Sequence, residues 1–299
     1  MAVRIGTAEP ESTFKTQGEA LKGLLDDVPG VGPVTVEESP AASIDNANRL
    51  HQGEINFGFM AANWIGRARE GDAPFRQPID LRIAAPMNAG PLFFIVRADS
   101  LIRHVGDLRG KRVIVGPERS GMTQHAHSIL PAIGIKFENF TPIYLDFAAG
   151  AEALKAGKAD AQLQCPIPNK VMTALSDSTD IRVLPYEPQD LRKVLAAVPF
   201  YRPTVMRKGA FRGLTADVEQ PAVVNLLMTH AREPDARVGA LAAAIASGTK
   251  DLARRNALFD GMDRLFTPMR EQGAAACEFG GVMLHSGAAA AYRKLGLLA

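Results

Sequence analysis

The sequence predicts an α/β chain made of two similar halves, each a mainly parallel sheet flanked by helices. Three observations predict it. Short β-branched runs alternate with helical stretches, as in strands joined by helical crossovers. A frame of leucine, glycine and then Asn or Asp occurs twice, about a hundred residues apart. Ahead of each frame a strand breaks at glycine and enters a helix through serine, Gly6 with Ser12 and Gly116 with Ser120.

In order, "VRIGTA" (3–8) reads as the first strand and "STFKTQGEALKGLL" (12–25) as the helix after it. "ESPAASIDNANRL" (38–50) starts a further helix, with Ser43 ahead of it and Asn46 in its first turn. "RLHQGEINFGFM" (49–60) and "ALKAGKADAQLQ" (153–164) carry the repeated frame, in which Leu50 matches Leu154, Gly53 matches Gly157 and Asn56 matches Asp160. The physical reading is a helix ended by a left-handed glycine, a polar turn, then a strand. "LRIAAP" (81–86), "FFIVRA" (93–98), "RVIVG" (112–116), "TPIYL" (141–145) and "IRVLP" (181–185) are further strands, and "SGMTQHAHSIL" (120–130) is a helix. Residues 235–258 are Ala-rich and helical for most of their length, and "GAAAAYRKLGLL" (287–298) closes the chain as a helix. Proline-bearing junctions mark hinges near 86–92 and 184–203. They divide the chain into one lobe of 1–90 with 186–299 and a second of 91–185.

Composition narrows the function classes. At 299 residues each lobe is long enough to bury its own core. With 34 basic against 32 acidic residues and 6% aromatics, there is no basic footprint and no stacking platform, so nucleic acid is not a partner. Cys165 and Cys277 form neither a disulfide framework nor a zinc pattern. No apolar run is long enough to span a bilayer. "MAVRIGTAEPES" enters an apparent strand directly, without a basic and then apolar leader. The chain is therefore either cytosolic or a mature form whose signal peptide has been removed.

"VIVGPERSGMT" (113–123) has the spacing of a nucleotide-binding P-loop, but Met122 stands where that motif needs lysine. Without a point charge for a β/γ-phosphate, nucleotide hydrolysis is not its business. Ser120 is a natural N-cap for a helix beginning near Gly121, and the first turn leaves unpaired N–H groups at the positive end of the helix dipole. Such an end binds phosphate, sulfate or carboxylate unaided. "GTAEPESTFKT" (6–16) offers the same device, with Ser12 or Thr13 as cap and Phe14 near the mouth. Three such starts at the carboxyl ends of strands are where α/β proteins hold ligands.

These residues resemble a known family. "GPERSGMT", "LDFAAGAEALKAGKADAQLQCPIPN", "SIDNANRLHQGEINFGFM", "DLRGKRVIVG" and "LHSGAAAAYRKLGL" look like the solute receptors of TRAP-type transporters, TAXI class, in the right order over nearly the whole chain. The resemblance implies a two-lobed periplasmic-binding-protein-like fold of type II topology that closes on a small carboxylate, an amino acid or dicarboxylate. It implies a monomeric periplasmic receptor, not an enzyme, without cofactor or metal, which delivers its anionic solute to TRAP transporter membrane subunits. The expected ligand-binding residues are Ser12, Thr13, Phe14, Ser43, Asn46, Asn63, Ser120, Gly121, Met122, Thr123, Cys165 and Pro166. Three departures bear on specificity. "EPESTFKT" replaces the family's glycines and tyrosine pair, Gln124 and His125 stand where a basic residue is usual, and "CPIPN" replaces a Gly-x-Pro turn. Glu9 and Glu11 could accept an ammonium or be plain surface acids, and Lys15 or Arg119 could supply a cation.

Catalytic readings find little support. His125 and His127 are two apart on a helix and cannot share a metal. His285 reads as part of a helix N-terminal turn. Cys165 would be a nucleophile only with a histidine beside it. No H-E-x-x-H, G-x-S-x-G or S-x-x-K arrangement occurs. An enzyme on the same two-lobed fold and a cytosolic ligand-sensing module are the alternatives.

Overall fold

A computed structural model describes residues 2–10, 12–118, 120–165, 167 and 169–299. Its contacts divide the chain into two units, Met1–Ala89 with Val224–Ala299, and Gly90–Val223. Residues 186–223, expected with the first lobe, pack with the second. The second crossing thus falls at 223/224 and not within 184–203.

The first unit begins β1 (Val3–Gly6), α1 (Thr13–Leu25), β2 (Val34–Glu37), α2 (Ser43–Gln52), β3 (Phe57–Ala61), α3 (Ala62–Glu70) and β4 (Leu81–Pro91). β1 pairs parallel with both β2 and β3, so α1, α2 and α3 all start at the carboxyl edge of that sheet. α1 forms because Phe14, Gln17, Gly18, Leu21 and Leu25 make one buried stripe and Ser12 caps it. Phe14 stacks on Phe59 of β3 at 5.3 Å, which fixes the helix to the sheet. α2 and α3 end at Gly53 (φ 75°) and Gly71 (φ 76°), a left-handed conformation that side chains disfavour.

The second unit follows with β5 (Phe93–Arg97), β6 (Arg112–Ile114), α4 (Gly121–Ala132), β7 (Thr141–Ile143), α5 (Phe147–Lys155), β8 (Ala161–Gln164), α6 (Lys170–Ser178), β9 (Ile181–Val183), α7 (Pro188–Ala197) and β10 (Tyr201–Met206). Its strand order is β7-β6-β8-β5-β9. β6 is parallel to β7 and β8, while β5 runs antiparallel to β8 and β9. The carboxyl ends of β6, β8 and β9 therefore share one edge. Phe93, Ile95, Leu154, Met172, Leu175 and Ile181 form its core on the α5–α6 face.

β11 (Val218–His230) starts in the second unit, where it pairs antiparallel with β10, and ends in the first, where it pairs antiparallel with β3. The chain closes with α8 (Asp235–Ser247), α9 (Thr249–Arg255), α10 (Thr267–Gln272) and α11 (Ser286–Lys294). The Ala-rich run breaks at Gly248 into two helices. α8 and α11 approach closely because a Cβ at Gly239 would sit only 3.1 Å from the Gly287 carbonyl. The whole is the α/β two-lobed type II fold, with strand order β2-β1-β3-β11 in one unit and β7-β6-β8-β5 in the other. Among the described residues no helix is long and apolar enough to cross a membrane.

Candidate functional site: two capped turns and the polar groups behind them

At the carboxyl end of β1, Ser12 Oγ accepts from the Lys15 N–H at 3.2 Å, and the Ser12 carbonyl accepts from Thr16 N–H at 3.1 Å. At the carboxyl end of β6 the same bonds recur, Ser120 Oγ with Thr123 N–H at 3.2 Å and the Ser120 carbonyl with Gln124 N–H at 3.1 Å. In both turns the first two helical N–H groups, Thr13 and Phe14 or Gly121 and Met122, have no backbone or side-chain acceptor among the described residues. Each helix thus keeps two donors at the positive end of its dipole. Gly116 (φ 97°) makes the second turn, and a Cβ there would meet Met122 at 2.5 Å. Gly6 has no such role. A Cβ at Gly6 would overlap Asn46 Oδ1, so this glycine makes room for a side chain.

Several expected ligand groups serve the scaffold instead. Asn46 is fully buried; its Nδ2 donates to the Thr7 and Phe59 carbonyls at 2.7 and 2.9 Å, and its Oδ1 accepts from Ser39 Oγ at 2.7 Å. It clamps the ends of all three parallel strands and has no capacity left over for an incoming acceptor. Ser43 is the first residue of α2, behind Ala42, and its Oγ accepts from Ala61 N–H at 3.1 Å. Thr123 is buried and donates its hydroxyl to the Pro117 carbonyl at 2.8 Å, stapling the turn. Phe14 is buried in the stack with Phe59.

Asn63 lies in the first turn of α3, and its Oδ1 is buried with no partner among the described residues. Cys165 follows β8 and is a free, partly covered cysteine whose thiol desolvation pushes up to about 12. A thiol so protonated is a poor nucleophile. Lys15 is engaged by Glu19 at 3.2 Å and Glu38 at 3.5 Å, and Glu9 is exposed. Pro166, Glu11 and Arg119 lie outside the described residues. His127 stacks on Phe137 at 3.6 Å, whereas His125 bonds Tyr201, so the two histidines do part company. His285 caps α11, accepting from Gly287 N–H at 3.1 Å. Among the described residues no cluster of His, Cys, Asp and Glu could hold a metal ion.

Behind each capped turn lies a buried polar group; motif reading missed Gln17 and weighed His125 only as a metal ligand or in place of a basic residue. Counted from the capping serine, Gln17 and His125 are both the fifth residue. Gln17 Nε2 and Asn225 Nδ2 both donate to Asn88 Oδ1 at 3.1 Å, and Gln17 Oε1 is left unpartnered. His125 Nδ1 lies 2.8 Å from the Tyr201 hydroxyl, and burial lowers its pKa to about 4, so the ring is neutral. The missed signal was a polar residue within the apolar stripe of a helix, Gln17 between Phe14 and Leu21.

Comparisons with known proteins agree with this architecture. The family model described as "NMT1-like family" matches residues 5–296. The periplasmic aliphatic sulphonate binding protein SsuA of Escherichia coli is similar in structure at 20% identity, covering 87% of this chain and 74% of that one, with a TM-score of 0.52. A TctC solute binding protein from Polaromonas is 18% identical over 88% and 87%, at 0.57. A periplasmic sulfonate-binding protein SsuA from Methylobacillus flagellatus is 13% identical over 99% and 95%, at 0.58. These likenesses concern the fold.

Proposed function

The chain belongs to the NMT1-like family, and from that premise we propose that it is a periplasmic solute-binding receptor for a small carboxylate. The observation that carries the reading is the duplicated turn, two serine-capped helices each keeping two N–H donors at a strand's carboxyl end. Backbone donors at a helix N-terminus suit an oxyanion and need no lysine. Similar structures named as a periplasmic sulphonate binding protein and a solute binding protein support the class of receptor. Capture is by hinge closure about the crossings at 89/90 and 223/224, with differential affinity for the closed state moving the equilibrium. Delivery to TRAP-type membrane subunits rests on the resemblance of the motifs to TAXI receptors, and the sulfonate receptors named above give an ABC-type transporter as the second reading.

Mass spectrometry of acid released from the purified protein tests this, together with a thermal-shift screen of amino acids, dicarboxylates and alkanesulfonates. A probe at about a hundred times its Kd adds about 2.7 kcal/mol of stability. Gly121 has open space where a Cβ would stand, so Gly121→Trp leaves the fold intact while its indole screens the free N–H groups. Loss of the thermal shift at unchanged Tm is expected. An intact shift in that variant removes the second turn from the site.

A further inference from the structure

Four titratable side chains of the second unit gather behind the capped turn of α4 without any role in the fold's hydrogen-bond ladder. His125 comes from α4, Cys165 follows β8, Tyr186 follows β9 and Tyr201 opens β10. β6, β8 and β9 end at one edge of the sheet, which brings α4, Cys165 and Tyr186 to that edge. His125 and Tyr201 are joined at 2.8 Å, with ring centroids 5.7 Å apart, and burial first, then the Tyr186 phenol, raises the Tyr201 hydroxyl above its usual pKa. Phe200 closes edge-on over Tyr201 at 4.9 Å.

Within this group one hydroxyl has no partner among the described residues. It belongs to Tyr186, which is 7% exposed, and it is itself buried. A buried hydroxyl left unpaired costs about 1–3 kcal/mol, and native folds keep few of them. Tyr201, by contrast, has its hydroxyl 2.8 Å from His125 Nδ1. All four groups are held in their uncharged forms by burial, the histidine by a lowered pKa and the phenols and thiol by raised ones. A net anion set against these four uncharged groups alone would have its desolvation poorly compensated.

Resting on the receptor reading above, we propose that the Tyr186 hydroxyl, set beside the His125–Tyr201 pair, donates to an uncharged acceptor oxygen of the solute, an amide carbonyl or hydroxyl. The solute is then a carboxylate that carries a neutral oxygen group, rather than a simple dicarboxylate. The capped turn takes the charge and the tyrosine reads the rest.

Calorimetric titration of the wild type and Tyr186→Phe with two matched pairs tests the assignment, glutamine against glutamate and succinamate against succinate. The wild type is expected to bind the amide of each pair more tightly. Tyr186→Phe should weaken amide binding about ten-fold, erase the preference within each pair, and leave the Tm of the unliganded protein unchanged or higher. With four tyrosines in the chain, ring carbon NMR gives a second readout, in which the signal missing from Tyr186→Phe is the one that shifts on adding glutamine. Equal amide affinity in the two proteins, or tighter binding of the dicarboxylates by the wild type, overturns this inference while leaving the receptor reading standing. Failure of every probe to bind the wild type, with no small acid released from it, overturns both.

Discussion

The two copies of the repeated half solve one packing problem in opposite ways. In the first unit Asn46 reaches from α2 into the sheet, and Gly6 and Gly58, register partners on β1 and β3, leave it room. A Cβ at Gly58 would stand 2.9 Å from that of Asn46. At the matching positions of the second unit the register partners are Ile114 and Gln162, and the helix supplies Gly150. There the carboxamide comes from the strand, Gln162 Nε2 donating to the Phe147 carbonyl at 3.1 Å, and a Cβ on Gly150 would overlap it. The shared requirement is one amide between helix and sheet, whichever side provides it. The solutions are not equally complete. Asn46 makes three hydrogen bonds, whereas Gln162 Oε1 is buried without a partner among the described residues.

The largest expected effect lies where the first copy is most committed. Asn46→Ala orphans the Thr7 and Phe59 carbonyls and opens a void, a loss of about 3–5 kcal/mol in urea unfolding. Asn46→Gly combined with Gly58→Gln installs the second unit's arrangement and should recover part of that loss. Additive losses would break the comparison.

Next in size is acid sensitivity, which the same helical position confers on one copy only. Gln17 does not titrate, but His125 does. The unfolded histidine titrates near 6.5 and the buried ring near about 4. The neutral ring's contribution is therefore intact above pH 6.5 and is lost as the pH falls from there toward 4, by about 3 kcal/mol in all. His125→Gln, which copies the first unit, should flatten that limb of the stability–pH curve. An unchanged slope would show that the histidine finds a proton partner in the folded state.

The smallest effect concerns the turn that closes each copy. Asn56 accepts from Arg4 N–H at 2.9 Å, and Asp160 accepts from Arg112 N–H at 2.7 Å. Only the aspartate also pairs with its arginine side chain, whose hydrogen bond holds the carboxyl below its usual range. That depressed pKa gives stability present above about pH 4 and lost below it. Asp160→Asn should remove the low-pH loss at little expense near neutrality, since the pair is solvent-screened.

The repeat was legible because its frame is backbone chemistry. Gly53 and Gly157 are left-handed at φ 75° and 70°, Leu50 and Leu154 are buried, and Asn56 and Asp160 take the same bonds. Capping serines were legible for the same local reason. The exchange of Asn46 and Gly58 for Gly150 and Gln162 was not, because each residue makes sense only beside its partner across the sheet. β11 also escaped the sequence reading. It crosses between units as an unbroken strand with no turn residues at 223/224, while the prolines near 185–203 sit within the second unit and mark α7 and β10. Tyr186 and Tyr201 were passed over because nothing local distinguishes a buried phenol from a core aromatic.

Residues 90–223 interrupt the first unit between Ala89 and Val224. A ribosome therefore finishes the interrupting portion first. The opening residues wait for β11, whose pairing with β3 needs Asn225–Thr229. Synthesis runs from start to end, yet the middle unit has all of its residues before the first unit does.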